Sequence, residues 1–374
     1  MRDLFRPTTA EINLGAIERN YRTVRGLLRP STKFLAVVKA DAYGHGAVPV
    51  ARRLCASGAD WLGVAQVEEG AQLRREGISC PILIMQGLQP AEAGAAVDLG
   101  LTALVFQKSV VDALAAHGRK AGKKIPVHVK VDTGMTRLGV LPEDLAGFLD
   151  YVMGQDGIQF EGIGSHLASA ENPEDSATVR QKQIFAQATE VGTRKARGPL
   201  LRHLANSAAT ILDPGSHYDM VRIGITLYGE HPAPRTQPRV NLEPALTWRT
   251  FVSQIKTVPA GTGVSYGGTF RTSRESRIGV LPVGYADGYP RALSNNAEVA
   301  VGGSKCPLVG TVCMDLVMVD LTAVPGVKEG DEALLLGGVG DARISAGELA
   351  RRCGTISYEI LCGIGKRVPR VYLE

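Results

Sequence analysis

The sequence predicts an α/β protein: a (β/α)8 barrel over residues 1–240, followed by a mostly-β domain over 241–374. Three observations point there. Short apolar runs alternate with amphipathic stretches through roughly the first 230 residues, and eight such runs can be counted. Eight strand–helix units in about 200–250 residues are what a closed barrel of this kind needs. Beyond about residue 240 the helical period fades and strand-like runs separated by glycine and proline take over. A doubly wound open sheet is the alternative. It would carry a glycine fingerprint after its first strand, and "GGVGDA" at 337–342 lies far too late for that role.

In chain order, the barrel strands read "KFLAVVK" ending at Lys39, "WLGVA" near 61–65, "PILIM" near 81–85 and "LTALVF" near 101–106. "IPVHVKVD" near 125–132, "IQFEGIGSH" near 158–166, "LLRHLA" near 200–205 and "MVRIG" near 220–224 complete the eight. Between them lie helical patterns such as "VPVARRLCASG", "VEEGAQLRREG" and "KSVVDALAAHGRKAGKK". The later strands are "LTWRTFVSQIKTV", "SRIGVLPVGY", "AEVAVGG", "LVGTVCMDLVMVDL" and "EALLLGG", with the boundary near "NLEPA" at 241–245. The early "TTAEINL" is strand-like and can pair with either domain.

Composition narrows the function. The 374 residues are 44% hydrophobic and 21% charged, and 42 basic against 37 acidic residues are mixed along the chain. No basic block or aromatic–basic interleaving marks a nucleic-acid or membrane-surface partner. Cysteines at 55, 80, 306, 313, 353 and 362 form no C-x-x-C and have no histidine at metal-site spacing, so no metal is expected. "MRDLFRPTTAEIN" lacks the apolar core of a leader, and no run is long enough to span a bilayer. The expectation is a cytoplasmic protein with reduced thiols.

Barrels of this kind place their chemistry at the carboxyl ends of the strands. There the sequence puts Lys39 with Tyr43 following it, then Lys130, Asp132, Met135 and Arg137, then His166, and finally "HLANSAA" and "VRIGITLYG". Asn206, Ser207, Gly224 and Ile225 follow the last two strands, where barrels often bind phosphate, and backbone beside glycine approaches an anion closely. A reactive lysine facing a phosphate pocket suggests pyridoxal phosphate, whose aldehyde needs an amine. Taken singly, each residue has an ordinary explanation. Lys39 is a solvent-reaching strand end, Lys130 a partner of Asp132 or another acid, His166 a satisfied histidine and Arg222 a rim salt bridge. Tyr266 is a strand aromatic, and Asn206 and Ser207 are helix caps. Their coincidence on one rim, in a set that one cofactor can use, favours the functional reading.

With "VVKADAYGHG" (37–46), "VKVDTGMTRLG" (129–139), "HLANSAA" (203–209) and "RIGITLYG" (222–229), the chain resembles the alanine racemase family. "VSYGGTF" (264–270), "LPVGYADGYPR" (281–291), "GTVCMDLVMVD" (310–320) and "TISYEIL" (355–361) extend the resemblance over almost the whole length. It implies pyridoxal phosphate as cofactor and a head-to-tail homodimer with composite active sites. It assigns Lys39 the Schiff base and the removal of the α-proton of D-alanine. Tyr266 becomes the opposing base for L-alanine, offered by the other subunit. Arg137 and the backbone N–H of Met314 match contacts to the substrate carboxylate. Tyr43, Ser207, Gly224, Ile225 and Tyr358 match the phosphate grip, His166 a neighbour of the pyridine ring, and Arg222 the partner of its nitrogen. Lys130 matches a lysine often found carbamylated, able to hold Arg137.

These roles are chemically coherent. Racemisation needs one proton-transferring group on each face of a planar carbanion. Lysine and tyrosine both have reference pKa values of about 10 and must be shifted or stabilised to serve near neutrality. An arginine at the pyridine nitrogen leaves that nitrogen unprotonated and discourages transamination. The sequence departs from the family pattern at Thr311, where an arginine is common near the substrate access path, and at "CGIGKRVPR" near the end. The implied activity is interconversion of L- and D-alanine, supplying D-alanine for peptidoglycan. A fold-related decarboxylase and a non-catalytic pyridoxal-phosphate carrier are the rival readings. The tyrosine of "VSYGG" and Arg222 speak against the first, and the whole second domain against the other.

Overall fold

The computed structural model describes residues 6–374; Met1–Phe5, part of the stretch read above for a leader, lies outside the described residues. The chain forms two units, Ile17–Ala42 with Ala47–Glu243, and Met1–Ala16 with Tyr43–Gly46 and Pro244–Glu374. Up to the end of the first unit the strands are β1 (Thr9–Asn13), β2 (Lys33–Val37), β3 (Trp61–Val64), β4 (Ile82–Ile84) and β5 (Thr102–Val105). Then come β6 (Ile125–Lys130), β7 (Ile158–Gly164), β8 (Leu201–His203) and β9 (Met220–Ile223).

Strands β2 to β9 form one parallel sheet in the order β8-β7-β6-β5-β4-β3-β2-β9. The Asp219 N–H donates to the Arg202 carbonyl and the Arg222 N–H to the Ala205 carbonyl, each at 3.0 Å, so the end strands meet and the sheet closes. All eight runs read from the sequence are present. They are apolar almost without alternation because a parallel sheet under helices is buried on both faces; every residue of β3 and β5 is buried. The helix Lys108–Lys120 shows how the cover is made. Val110, Val111, Leu114, Ala115 and Gly118 share its buried face, and His117, Arg119 and Lys120 sit at its negative end. Leu114 is fully buried, and truncating it to alanine would cost about 2–5 kcal/mol.

The second unit holds β1 and the later strands β10 (Leu246–Phe251), β11 (Gln254–Val258), β12 (Gly263–Val264), β13 (Phe270–Arg271) and β14 (Ser276–Leu281). After these come β15 (Glu298–Val301), β16 (Ser304–Pro307), β17 (Val317–Asp320), β18 (Glu332–Leu336) and β19 (Arg370–Leu373). A six-stranded sheet runs β16-β15-β18-β10-β1-β19, a three-stranded one β11-β14-β17, and β12 pairs with β13 as a small hairpin. β1 is antiparallel to β10 and parallel to β19, so "TTAEINL" belongs here. Trp248 and Tyr289, both fully buried, meet edge to face at 5.8 Å in this unit.

Two features depart from the sequence reading. Helices Ala346–Cys353 and Ser357–Gly363 interrupt the β pattern. The signal for the first was "SAGE": the Ser345 hydroxyl accepts the Glu348 N–H at 3.1 Å, a helix-starting cap. Cys55 and Cys80, expected as thiols, are joined as a disulfide with Cα atoms 6.5 Å apart. The fold brings a helix end beside the segment leading into β4, a proximity that 25 residues of sequence separation conceal. No described helix is long and apolar enough to cross a membrane.

Candidate active site

Lys39 follows β2 and opens an unusual turn. Ala40, Asp41, Ala42 and Tyr43 all have φ between 52° and 55°, a left-handed run of four non-glycine residues. Such backbone costs about 1–2 kcal/mol per residue and persists only where surrounding contacts hold it. Here the Glu69 carboxylate accepts the Ala40 N–H at 2.7 Å, and Asp41 accepts the Ala47 N–H at 2.7 Å. Glu69 also takes the Ala65 and Gln66 amides, so one carboxylate anchors the Lys39 turn to the next helix. The sequence reading saw only a short polar turn and missed Glu69.

Arg222, on β9, is buried, and its hydrogen-bond partners are neutral acceptors. Its Nη2 donates to the Ser165 carbonyl at 2.7 Å, the Leu204 carbonyl at 2.9 Å and His166 Nδ1 at 3.1 Å; its Nη1 donates to His203 Nδ1 at 2.7 Å. Burial pulls the guanidinium down to about 10, so it remains a cation at neutral pH. His166 is driven well below the ordinary histidine range by burial, then by Arg222, Lys130, Arg137 and Lys39, and is a neutral imidazole. Lys39, Lys130, Arg137 and Arg222 thus all lie within electrostatic reach of His166.

The Lys130 amine is pushed well down by burial, then by Arg222 and Arg137, with Asp132 opposing. Pairing with Asp132 was the ordinary explanation for Lys130. Among the described residues no ion pair joins them, and Asp132 Oδ1 is occupied by the Gly134, Met135 and Thr136 amides at 2.9–3.1 Å. That carboxylate shapes the tight turn that presents Arg137. Lys130, Asp132, Arg137, Ser165 and His166 line a hollow of about 30 Å³, room for one small group.

At the ends of β8 and β9, the Ser207 hydroxyl accepts the Gly224 N–H at 2.9 Å, tying the two loops together, with Ile225 buried behind them. Asn206 accepts the Ala209 N–H at 3.1 Å and caps the helix Ser207–Leu212, so the capping explanation holds for it.

In the second unit, Tyr43 and Tyr358 have ring centroids 5.8 Å apart. Burial, then Tyr358 and Cys362, pushes the Tyr43 phenol above its usual range. Tyr266 lies beyond β12 and is 74% exposed. With Met314, Asp315 and Leu316 it lines an open hollow of about 610 Å³. Its position is set by backbone. Ser265, at φ 64°, donates through its hydroxyl to the Thr311 carbonyl at 2.7 Å, and the Thr311 hydroxyl donates to the Tyr266 carbonyl at 3.0 Å. Thr311 is therefore a buried brace beneath Tyr266, a role its sequence context did not announce.

Comparison with known proteins fits this geometry. The family model for the alanine racemase N-terminal domain matches residues 12–232, and that for the C-terminal domain matches 245–372. An alanine racemase of Symbiobacterium thermophilum is 46% identical over 99% of this chain and 98% of its own. One of Desulfovibrio desulfuricans is 45% identical over 99% of both. The crystal structure of alanine racemase from Bacillus anthracis with bound L-Ala-P superposes with a TM-score of 0.92 at 37% identity, covering 99% of this chain and 96% of that one. The chain belongs to the alanine racemase family of isomerases.

Proposed function

We propose that the protein interconverts L- and D-alanine with pyridoxal phosphate as cofactor, using Lys39 and Tyr266 on opposite faces of the substrate. The observation that carries this reading is the rim cluster of the barrel. Lys39 sits on a left-handed turn within electrostatic reach of His166, a neutral imidazole that is in turn hydrogen-bonded to the charged, buried Arg222. The donor set suits a phosphorylated pyridine aldehyde: a lysine amine, a buried guanidinium, and the Ser207–Gly224–Ile225 corner where barrels take phosphate. The cofactor, when bound, supplies the electron-withdrawing ring that acidifies the α-carbon proton.

The chain's own groups do the rest. Arg222 has only donors, so it can hold the ring nitrogen solely as an acceptor, unprotonated. Tyr43 and Tyr358 join Ser207, Gly224 and Ile225 in holding phosphate. Arg137 and the Met314 N–H receive the substrate carboxylate. Lys39 takes or returns the α-proton on one face and Tyr266 on the other. The exposure of Tyr266 and Met314 supports a composite site in a homodimer, since an apolar, functional patch of this kind calls for a covering partner. Lys130 works as a carbamate: burial and the neighbouring Arg222 and Arg137 disfavour its ammonium form, which favours uptake of CO₂ by the amine, and the adjoining small hollow suits the added group. The product would serve peptidoglycan synthesis in the cytoplasm.

Loss of optical rotation from L-alanine without release of carbon dioxide is the expected result, whereas carbon dioxide release would mark a decarboxylase. Borohydride should fix the cofactor on Lys39, and label on Lys130 instead would overturn the assignment. Lys130→Ala should be rescued by small carboxylates; an unchanged rate in that variant would remove the carbamate.

A further inference from the structure

A second set of polar groups lies inside the barrel behind Arg222. His203 Nε2 meets His128 Nδ1 at 3.0 Å, and His128 Nε2 meets Glu161 Oε2 at 3.2 Å. Together with the 2.7 Å contact between Arg222 and His203 Nδ1, this makes one unbroken chain from guanidinium to carboxylate. Both histidines are fully buried, and Glu161 is partly open.

The chemistry of the ends fixes every proton between them. Arginine can only donate, so His203 Nδ1 must accept. A neutral imidazole then carries its proton on Nε2 and donates to His128 Nδ1. His128 in turn carries its proton on Nε2 and donates to Glu161, which as a carboxylate only accepts. A protonated Glu161 that donated instead would reverse both tautomers and set a His203 N–H against an Arg222 N–H at 2.7 Å. A doubly protonated His203 would do the same, with two cations in contact. Only one assignment of the imidazole protons satisfies all the contacts, and it makes Glu161 the acceptor at the end of the chain.

The barrel is built to hold this arrangement. β6 and β7 slip register between Val127 and His128: Val127 pairs with Phe160 and His128 with Gly162, leaving Glu161 as the extra residue of a bulge. A Cβ on Gly162 would lie 2.7 Å from the His128 ring, and one on Gly164 only 2.1 Å from the His203 ring. The alternate glycines of "EGIGSH" therefore clear space for the two imidazoles, and the Trp61 ring lies 5.6 Å from that of His128. Among the described residues no carboxylate touches Arg222 directly, and a buried cation without an anion is costly.

We propose that Glu161, acting through His128 and His203, is a positioning residue for Arg222: it fixes both tautomers so that Arg222 meets a lone pair, and it supplies the guanidinium's remote counter-charge. The catalytic consequence rests on the proposed function above, in which Arg222 holds the cofactor's ring nitrogen.

The test uses the full-length holoenzyme with ¹⁵N-labelled histidine, assigned by His128→Gln and His203→Gln. At pH 8 two-bond ¹H–¹⁵N spectra should show both residues as neutral Nε2–H tautomers. Glu161→Ala should mix those tautomers and lower kcat for racemisation by roughly 10- to 100-fold, the usual range for an outer partner of an active group, with KM within about twofold. Glu161→Gln keeps the shape and an acceptor, so it should lose less of kcat than Glu161→Ala and unfold at the wild-type temperature; it decides the matter if the alanine variant misfolds. A wild-type His203 bearing Nδ1–H, or unchanged tautomers in Glu161→Ala, would overturn the proposal. So would a Glu161→Gln enzyme identical to wild type in kcat. Correct tautomers in a protein that racemises nothing would support the relay and overturn the reading of the site.

Discussion

The barrel rim and the hairpin region of the second unit reach function by opposite routes. In the barrel, Lys130, His166, His203 and Arg222 are enclosed, and burial is the first cause of every displaced pKa among them. Burial and neighbouring cations disfavour added charge on Lys130, His166 and His203 in the protein itself, before any ligand arrives. In the second unit, Tyr266 is 74% and Met314 53% exposed, and what the fold supplies is placement, through Ser265 and Thr311 under the backbone. On the proposed function, the barrel supplies a prepared electrostatic environment, whereas the hairpin offers Tyr266 as a reactive group at a position set by its backbone. Mutations should therefore act differently in the two places: on stability and charge state in the barrel, and on turnover with little effect on folding in the hairpin.

The largest effect is expected at Lys39. On the proposed function, Lys39→Ala removes both the covalent anchor and one base, and it should lower racemisation by about 10⁴-fold or more. Retention of a tenth of wild-type turnover would show that the strained turn is not built around this amine.

Tyr266→Phe should lower racemisation by about 10²- to 10⁴-fold while changing stability by less than about 0.5 kcal/mol, because the lost hydroxyl sits on an exposed ring. In D₂O the variant should still exchange the α-proton of D-alanine far faster than that of L-alanine. Mixing it with Lys39→Ala chains should restore some activity, since one of the two sites in a mixed dimer would be intact. Equal loss of exchange for both enantiomers would sink the two-base reading, and failure to complement after confirmed subunit exchange would sink the composite site.

How much of this was legible in the sequence follows the same divide. The barrel strands could be read because burial on both faces leaves an unmistakable apolar run, and strand ends inherit meaning from barrel geometry. Lys39, Lys130, His166 and Arg222 were singled out that way. Glu69, His128, His203 and Glu161 were not singled out, because their roles depend on contacts between strands and helices distant in sequence. The left-handed turn at Ala40–Tyr43 was hidden as well, since alanine and aspartate do not advertise positive φ as glycine does. In the second unit the strands were legible as strand-like runs between glycine and proline turns, but Thr311 registered only as a departure from a family pattern. Its hydrogen bond to the Tyr266 carbonyl is a fact of folding.

Glycine substitutions sharpen the contrast in stability. Gly164→Ala puts a Cβ 2.1 Å from the His203 ring, so it should cost at least the roughly 1–3 kcal/mol of an overpacked core and disturb the relay. Gly347→Ala, in the helix Ala346–Cys353 with open space around it, should be neutral or stabilise by about 0.5–1 kcal/mol. Denaturant midpoints of the two variants measure both; equal effects would mean that the barrel interior is no tighter than the surface.

Acid should find the barrel first. His203 is held neutral by burial, then by Arg222, His128 and Lys130, and His166 by burial and its neighbouring cations. Below about pH 6.5 the unfolded chain binds protons that the folded one refuses, so stability falls as pH falls, by up to about 1.4 kcal/mol per pH unit for each histidine. Asp287 in the second unit behaves otherwise. Burial raises its pKa, but the Arg6 ion pair and the Gly284 amide outweigh that and leave it lowered. Its contribution is lost only below about pH 4. Urea unfolding at pH 7, 6 and 5 should show falling stability, and a flat response across that range would contradict neutral buried histidines.

The smallest effect concerns the brace under Tyr266. Thr311→Val keeps the volume and removes the hydroxyl that donates to the Tyr266 carbonyl at 3.0 Å. One such hydrogen bond is worth about 0.5–1.5 kcal/mol, so the correctly placed tyrosine should become roughly two- to tenfold scarcer. Because the hairpin supplies position and not charge state, the loss should appear in kcat, and in exchange of the L-alanine proton more than the D-alanine proton. Thr311→Ser, which keeps the donor, should recover most of it. An equal loss on both enantiomers would place Thr311 in general folding, and no loss at all would show that Ser265 alone holds the tyrosine.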